Sequence, residues 1–137
     1  MERRRIGNTS LEVTVLGFGG NALGNLYTAI DEAEARDAVL AAHESGVCYF
    51  DTAPMYESGY SEEIVGEALR GRRAGLFVID KVDHLDQPVA PQVEDSLRKL
   101  QIEQADAFVL HGVGSLDQWR QCTAAGGPMD QLAQCVR

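Results

Sequence analysis

Three polar residues punctuate apolar, strand-like runs at a constant interval. Asp51 follows Val47-Cys48-Tyr49-Phe50, Lys81 sits inside the run from Leu76 to Val82, and His111 follows Phe108-Val109-Leu110. The three positions are thirty residues apart, and Asn21 falls in the same phase. Thirty residues is about the length of one strand-plus-helix unit. Runs that are apolar almost throughout, separated by helical patterns, are what a parallel sheet covered on its faces requires. The interval predicts that Asp51, Lys81 and His111 occupy equivalent points of successive parallel strands, at the carboxyl end where such folds gather their sites. Tyr56, five residues beyond Asp51 in the following loop, leans over the same spot.

The intervening sequence fits this alternation. A hairpin around Gly7-Asn8 leads through Leu11, Val13 and Val15 into a strand that ends at Phe18-Gly19-Gly20. Asp31, with Glu34 three residues on, caps a helix that buries Ala35, Ala38, Val39 and Ala42 and stops at Gly46. A strand follows over Val47 to Thr52. Ser61 is placed as the cap of the next helix, with Glu62-Glu63 at the positive end of its dipole, Ile64, Val65, Ala68 and Leu69 on its buried face and Gly71 at its end. Leu76 to Val82 is a strand in which alternation turns Asp80 toward the helix side, where a buried carboxylate needs a partner. A helix over Pro91 to Leu100 and a strand over Ala105 to Leu110 complete the clear pattern. Beyond His111 the sequence predicts one or two turns over Leu116 to Cys122 and the opening of another helix over Met129 to Val136. Four strand-helix units in a single domain, 1–137, are expected, the last cut about two turns into its helix.

Composition narrows the function classes. The 137 residues carry 12 Lys+Arg against 21 Asp+Glu, a formal charge of −9, which argues against a dedicated nucleic-acid binder or a basic membrane-surface protein. No apolar stretch approaches the roughly 18 to 20 residues of a membrane-crossing helix, and no apolar segment follows the N-terminal arginines as a secretion signal needs, so a cytoplasmic location is the expectation. Cys48, Cys122 and Cys135 have no metal-ligand spacing, and Cys48 reads as a buried small hydrophobe. His43 and His84 are expected at the surface, and Trp119 as a packing anchor. Gly17-x-Gly19-Gly20 opens no helix and is a strand-end turn rather than a dinucleotide fingerprint.

Asp51, Tyr56, Lys81 and His111 together suit one kind of chemistry. A tyrosine hydroxyl, with an ordinary pKa near 10, is a poor proton donor at neutral pH unless a cation favours the phenolate. Lys81 supplies that cation, Asp51 holds Lys81, and His111 orients or polarises a carbonyl. Proton delivery to oxygen while a hydride reaches carbon is carbonyl reduction. No side chain carries a hydride, so a cofactor is implied.

The segments Leu16-Gly17-Phe18-Gly19-Gly20-Asn21, Tyr49-Phe50-Asp51-Thr52-Ala53-Pro54-Met55-Tyr56, Ser61-Glu62-Glu63-Ile64-Val65-Gly66 and Val109-Leu110-His111, in this order, resemble the aldo-keto reductase family. The resemblance implies an α/β fold of the TIM (β/α)8 barrel family, here a half-barrel of about four βα units preceded by an N-terminal β-hairpin. It implies an NADPH-dependent reduction of an aldehyde or ketone, with NADH left open. Asp51, Tyr56, Lys81 and His111 match the family's catalytic tetrad, and Gly20, Asn21 and Asp51 match positions beside the cofactor and substrate. Two departures stand out. Asp80 replaces the small residue or Thr common before the family's Lys, and a whole barrel takes about 250 residues or more. In the family most contacts to the cofactor's phosphates and adenine come from the second half of the barrel. A small carbonyl substrate is the expected partner, with neither nucleic acid nor membrane. The alternative is an inert half-barrel that self-associates, a homodimer formed through its exposed sheet edges.

Overall fold

The structure, a computed structural model, describes residues 1–24 and 28–136. An antiparallel hairpin of β1 (Arg3–Arg5) and β2 (Glu12–Thr14) precedes the sheet. Four parallel strands then lie in chain order: β3 (Phe18–Gly19), β4 (Tyr49–Asp51), β5 (Phe77–Val82) and β6 (Ala107–Leu110). A short 3-10 turn (Gly20–Gly24) follows β3. The helices are α1 (Glu32–Glu44), α2 (Tyr60–Ala68), α3 (Val89–Leu100), α4 (Leu116–Cys122) and α5 (Pro128–Gln134). This is the α/β alternation expected, with one difference at its N-terminal end. The N-terminal strand is broken in two, with β2 ending at Thr14, whose hydroxyl donates to the Leu16 carbonyl, and β3 starting at Phe18. After β6 the two helical segments expected over Leu116 to Cys122 and Met129 to Val136 are present, the second starting one residue earlier, at Pro128, and ending at Gln134.

Local chemistry explains the boundaries. Asp31 accepts the amide of Glu34 at 2.8 Å while the Glu34 carboxylate accepts the Asp31 amide, the reciprocal capping box that starts α1. Gly46 ends that helix in the left-handed region, at φ +89. Ser61 departs from its expected role. The cap of α2 is Gly59, and Ser61 lies inside the first turn, fully buried, with its hydroxyl on the carbonyl of Gly20 at 2.9 Å and on the Thr52 hydroxyl at 2.9 Å. A buried hydroxyl must find partners, and here the partners are the strand ends rather than the helix's own amides.

The main core lies between sheet and helices, where Val39, Phe50, Ile64, Val65, Val78 and Leu100 are buried. A second cluster of Val82, Val89 and Val93, with Phe108, Leu110 and Leu132, seats α3 and α5 against β5 and β6. Gly66 brings α2 against α3; a Cβ there would lie 2.5 Å from the Leu100 carbonyl oxygen. Cys48 is buried as expected, and the Thr14 amide points at its sulfur, tying the hairpin to the foot of β4. Trp119 does not anchor packing. It is 49% exposed on α4, beside the exposed Leu116. His84 is exposed, and His43 is half-buried at the end of α1.

Candidate active site

Strand register decides which side chains meet. Gly19 pairs with Asp51, Asp51 with Ile79, and Ile79 with Ala107. Lys81 therefore lies two residues beyond the point opposite Asp51, and His111 four residues beyond Ala107. Asp51, Lys81 and His111 are not at equivalent points of the strands; they climb toward the carboxyl end from one strand to the next, whereas Asn21 lies two residues beyond Gly19, the partner of Asp51. An even stagger preserves the face to which a side chain points, because alternation has period two. Asp51 and Lys81 accordingly share the sheet face opposite the one carrying Phe50, Val78 and Val82, which pack into the cores under the helices. The rise of two residues is about 6.6 Å along the strand, a distance the four-carbon stem of Lys81 spans.

The Lys81 ammonium ends 2.7 Å from Asp51 Oδ1 and 2.7 Å from the carbonyl oxygen of Thr52. It lies 4.7 Å from the centroid of the Tyr56 ring, within the range of a cation–π contact. Lys81 is 8% exposed. Burial works against its charge, but hydrogen bonding with Asp51 and Tyr56 outweighs it and holds the pKa above the ordinary lysine value. The imidazole of His111 stands edge-on to the Tyr56 ring, with centroids 5.9 Å apart and planes at 86°. Its backbone is fixed by an amide donated to the Val82 carbonyl at 2.9 Å. The structure thus brings Asp51, Tyr56, Lys81 and His111 into one cluster at the carboxyl ends of the strands.

Gly20 and Asn21 lie in the turn after β3, next to β4. Gly20 is buried, and a Cβ on it would sit 2.4 Å from Ser61 Oγ and 3.1 Å from the Asp51 carbonyl oxygen. Glycine is required there by the close approach of α2 and β4. Asn21 is half-buried.

Two residues that sequence reasoning passed over belong to this region. Asp83 Oδ1 lies 2.5 Å from His111 Nδ1. Its signal was a second carboxylate two positions after Lys81, which the same alternation carries to the same end. Glu62 had been read as an acid complementing the dipole of α2; it is fully buried behind the sheet, facing Asp80. Beside the cluster opens a cleft of about 660 Å³, lined by Pro54, Met55, Ser58, Asp83, His84 and Lys99 among others.

A profile of the Aldo/keto reductase family matches residues 15–127. The chain belongs to the aldo/keto reductase family. An aldo-keto reductase of Bacillus halodurans in its holo form matches 98% of this chain with 44% of its own, at 32% identity and a TM-score of 0.75. An aldo/keto reductase of Klebsiella pneumoniae in complex with NADP and acetate matches 85% of this chain with 44% of its own, at 30% identity and a TM-score of 0.68. L-galactose dehydrogenase of Arabidopsis thaliana is 32% identical over 130 residues, 86% of this chain and 41% of that protein. Pyridoxal 4-dehydrogenase of Microbacterium luteolum is 40% identical over 84 residues, 61% of this chain and 25% of that protein. The chain thus spans less than half the length of these relatives, and its four parallel strands are a partial barrel of the TIM-barrel family. Among the described residues no helix is long and apolar enough to cross a membrane.

Proposed function

We propose that Asp51, Tyr56, Lys81 and His111 are the proton-handling site of a nicotinamide-dependent reductase of small aldehydes or ketones, with the Tyr56 hydroxyl as general acid. The observation that carries this reading is the Lys81 ammonium, hydrogen-bonded to Asp51 and Thr52 and set against the Tyr56 ring. Tyr56 hydrogen-bonds the carbonyl oxygen of the substrate and gives it a proton as negative charge develops there. Lys81 offsets the charge Tyr56 acquires on losing that proton. Asp51 keeps Lys81 charged and in place, and His111 directs the carbonyl oxygen toward the phenol.

This donor set contains a proton source and a fixed cation but nothing able to carry a hydride, so it fits a dihydronicotinamide partner. NADPH, with NADH left open, supplies the hydride when bound. Asn21 and Asp51 would hold its nicotinamide end, with Gly20 keeping the turn close to α2 behind them.

The test is consumption of NADPH by the chain with a panel of aldehydes and ketones that includes L-galactose and pyridoxal. Tyr56→Phe is expected to lower turnover by about 10²- to 10⁴-fold while a fluorescence titration shows NADPH binding unchanged. Equal turnover by the wild type and Tyr56→Phe would overturn the assignment.

A second reading is favoured by the sheet edges. β3 and β6 are each paired on one side only among the described residues, and Val109 on β6 is exposed. Open edges invite further strands, supplied by the rest of a longer chain or by a second copy in a homodimer. Sedimentation mass separates these: a monodisperse monomer that binds no hydrophobic dye argues against self-pairing.

A further inference from the structure

Asp83 is the strongest feature that the reading above leaves unused. Its side chain is 4% exposed, and its hydrogen-bond partner among the described residues is Nδ1 of His111, at 2.5 Å. The two residues are locked from both directions, since the His111 amide is donated to the carbonyl of Val82, the residue immediately before Asp83. An ionised carboxylate has no proton to donate, so the nitrogen facing it must carry the hydrogen. A neutral imidazole with its proton on Nδ1 has a lone pair on Nε2, and only the imidazolium bears hydrogen on both.

We propose that Asp83 is a positioning residue that fixes His111 in the Nδ1–H tautomer, so that neutral His111 accepts at Nε2 and only the imidazolium donates from Nε2 to a substrate oxygen. The tautomer assignment stands on the Asp83–His111 geometry alone; its use on a carbonyl oxygen rests on the proposed function. Neutral His111 is then a proton acceptor, and polarising the carbonyl requires the Asp83 carboxylate paired with a charged ring. Carboxylate partners set histidine tautomers by this logic in hydrolytic triads, where the wrong tautomer costs activity even though the geometry survives.

The test is two-bond ¹H–¹⁵N correlation of the histidine ring nitrogens in the intact chain, above the pH at which the ring loses its charge. His111 is assigned by the loss of its signals in His111→Asn. The wild type is expected to show a protonated-type Nδ1 and an unprotonated-type Nε2. Asp83→Ala is expected to move His111 toward the opposite pattern, and so is Asp83→Asn, whose amide NH2 donates to a bare Nδ1 while keeping the ring in place. A role in packing alone leaves the tautomer unmoved in Asp83→Ala, which overturns the proposal. A wild-type ring protonated at Nε2 overturns it too, and this outcome is readable even if Asp83→Ala fails to fold. The spectrum needs no turnover, so failure of the carbonyl-reduction reading is seen separately, in the NADPH assay.

Discussion

Lys81 reaches Asp51 across a register offset: Asp51 is paired with Ile79, yet the Lys81 ammonium returns one pleat to lie 2.7 Å from the Asp51 carboxylate. The ammonium is mostly buried, while the Asp51 side chain is 31% exposed. Removing the carboxylate therefore leaves the less solvated partner uncompensated. Asp51→Asn is expected to destabilise the fold by about 1–2 kcal/mol, short of a fully buried pair because Asp51 meets water. Adding Lys81→Met should recover part of that loss. Urea denaturation of the four proteins of this double-mutant cycle reads the coupling, and strictly additive losses would show that the pair is not coupled.

Asp80 carries a pH dependence of stability. Its carboxyl is buried on the helix side of β5, with Oδ1 accepting the Lys81 amide at 2.7 Å and Oδ2 without a hydrogen-bond partner among the described residues. Burial pushes its pKa up to about 8, reinforced by the facing Glu62. Lys99 of α3, 3.5 Å from Glu62, and Lys81 are the cations nearby. The native state then holds a proton that the unfolded chain releases above about pH 4. This contribution is fully present below pH 4, falls by up to about 1.4 kcal/mol per pH unit as pH rises, and levels off above about pH 8. Asp80→Asn keeps the shape without the titration. The stability of Asp80→Asn relative to wild type should therefore rise between pH 5 and 8; a pH-independent difference would show Asp80 to be ionised in the native state.

Gly66→Ala tests the α2–α3 contact. The added methyl group meets backbone atoms of Leu100 at 2.5 to 2.8 Å, and these cannot swing aside as a side chain does. Overpacking of this kind costs about 1–3 kcal/mol, against the few tenths to one kcal/mol that Ala ordinarily gains over Gly in a helix. A lowered melting temperature is expected, and a raised one would mean that the helices separate freely.

Asp31→Ala removes the half of the capping box at α1 in which the Asp31 carboxylate accepts the Glu34 amide, and leaves the backbone amide of residue 31 to donate to Glu34. The loss should be about 1 kcal/mol, measured by denaturation. Asp31→Ser should restore most of it, since a hydroxyl still accepts the Glu34 amide.

The sequence by itself determined the order of strands and helices around the sheet, the parallel alternation and the clustering of Asp51, Tyr56, Lys81 and His111. Period-two and period-3.6 patterns are local, and a polar residue interrupting the apolar run of successive strands repeats with the length of one unit. Capping at Asp31 and the stop at Gly46 were equally legible, because their partners lie within four residues. What the tertiary structure decided were relations between distant segments. Strand stagger set the heights of Lys81 and His111, and it depends on how neighbouring strands pack rather than on either strand alone. Ser61 looks like a helix cap to its own neighbours, yet close packing against Gly20 and Thr52 buries it and redirects its hydroxyl. Alternation already turned Asp80 to the helix side, but that the group facing it is a second buried carboxyl, Glu62, emerges only when α2 packs behind the sheet. Asp83 likewise meets His111 only because β5 and β6 lie side by side.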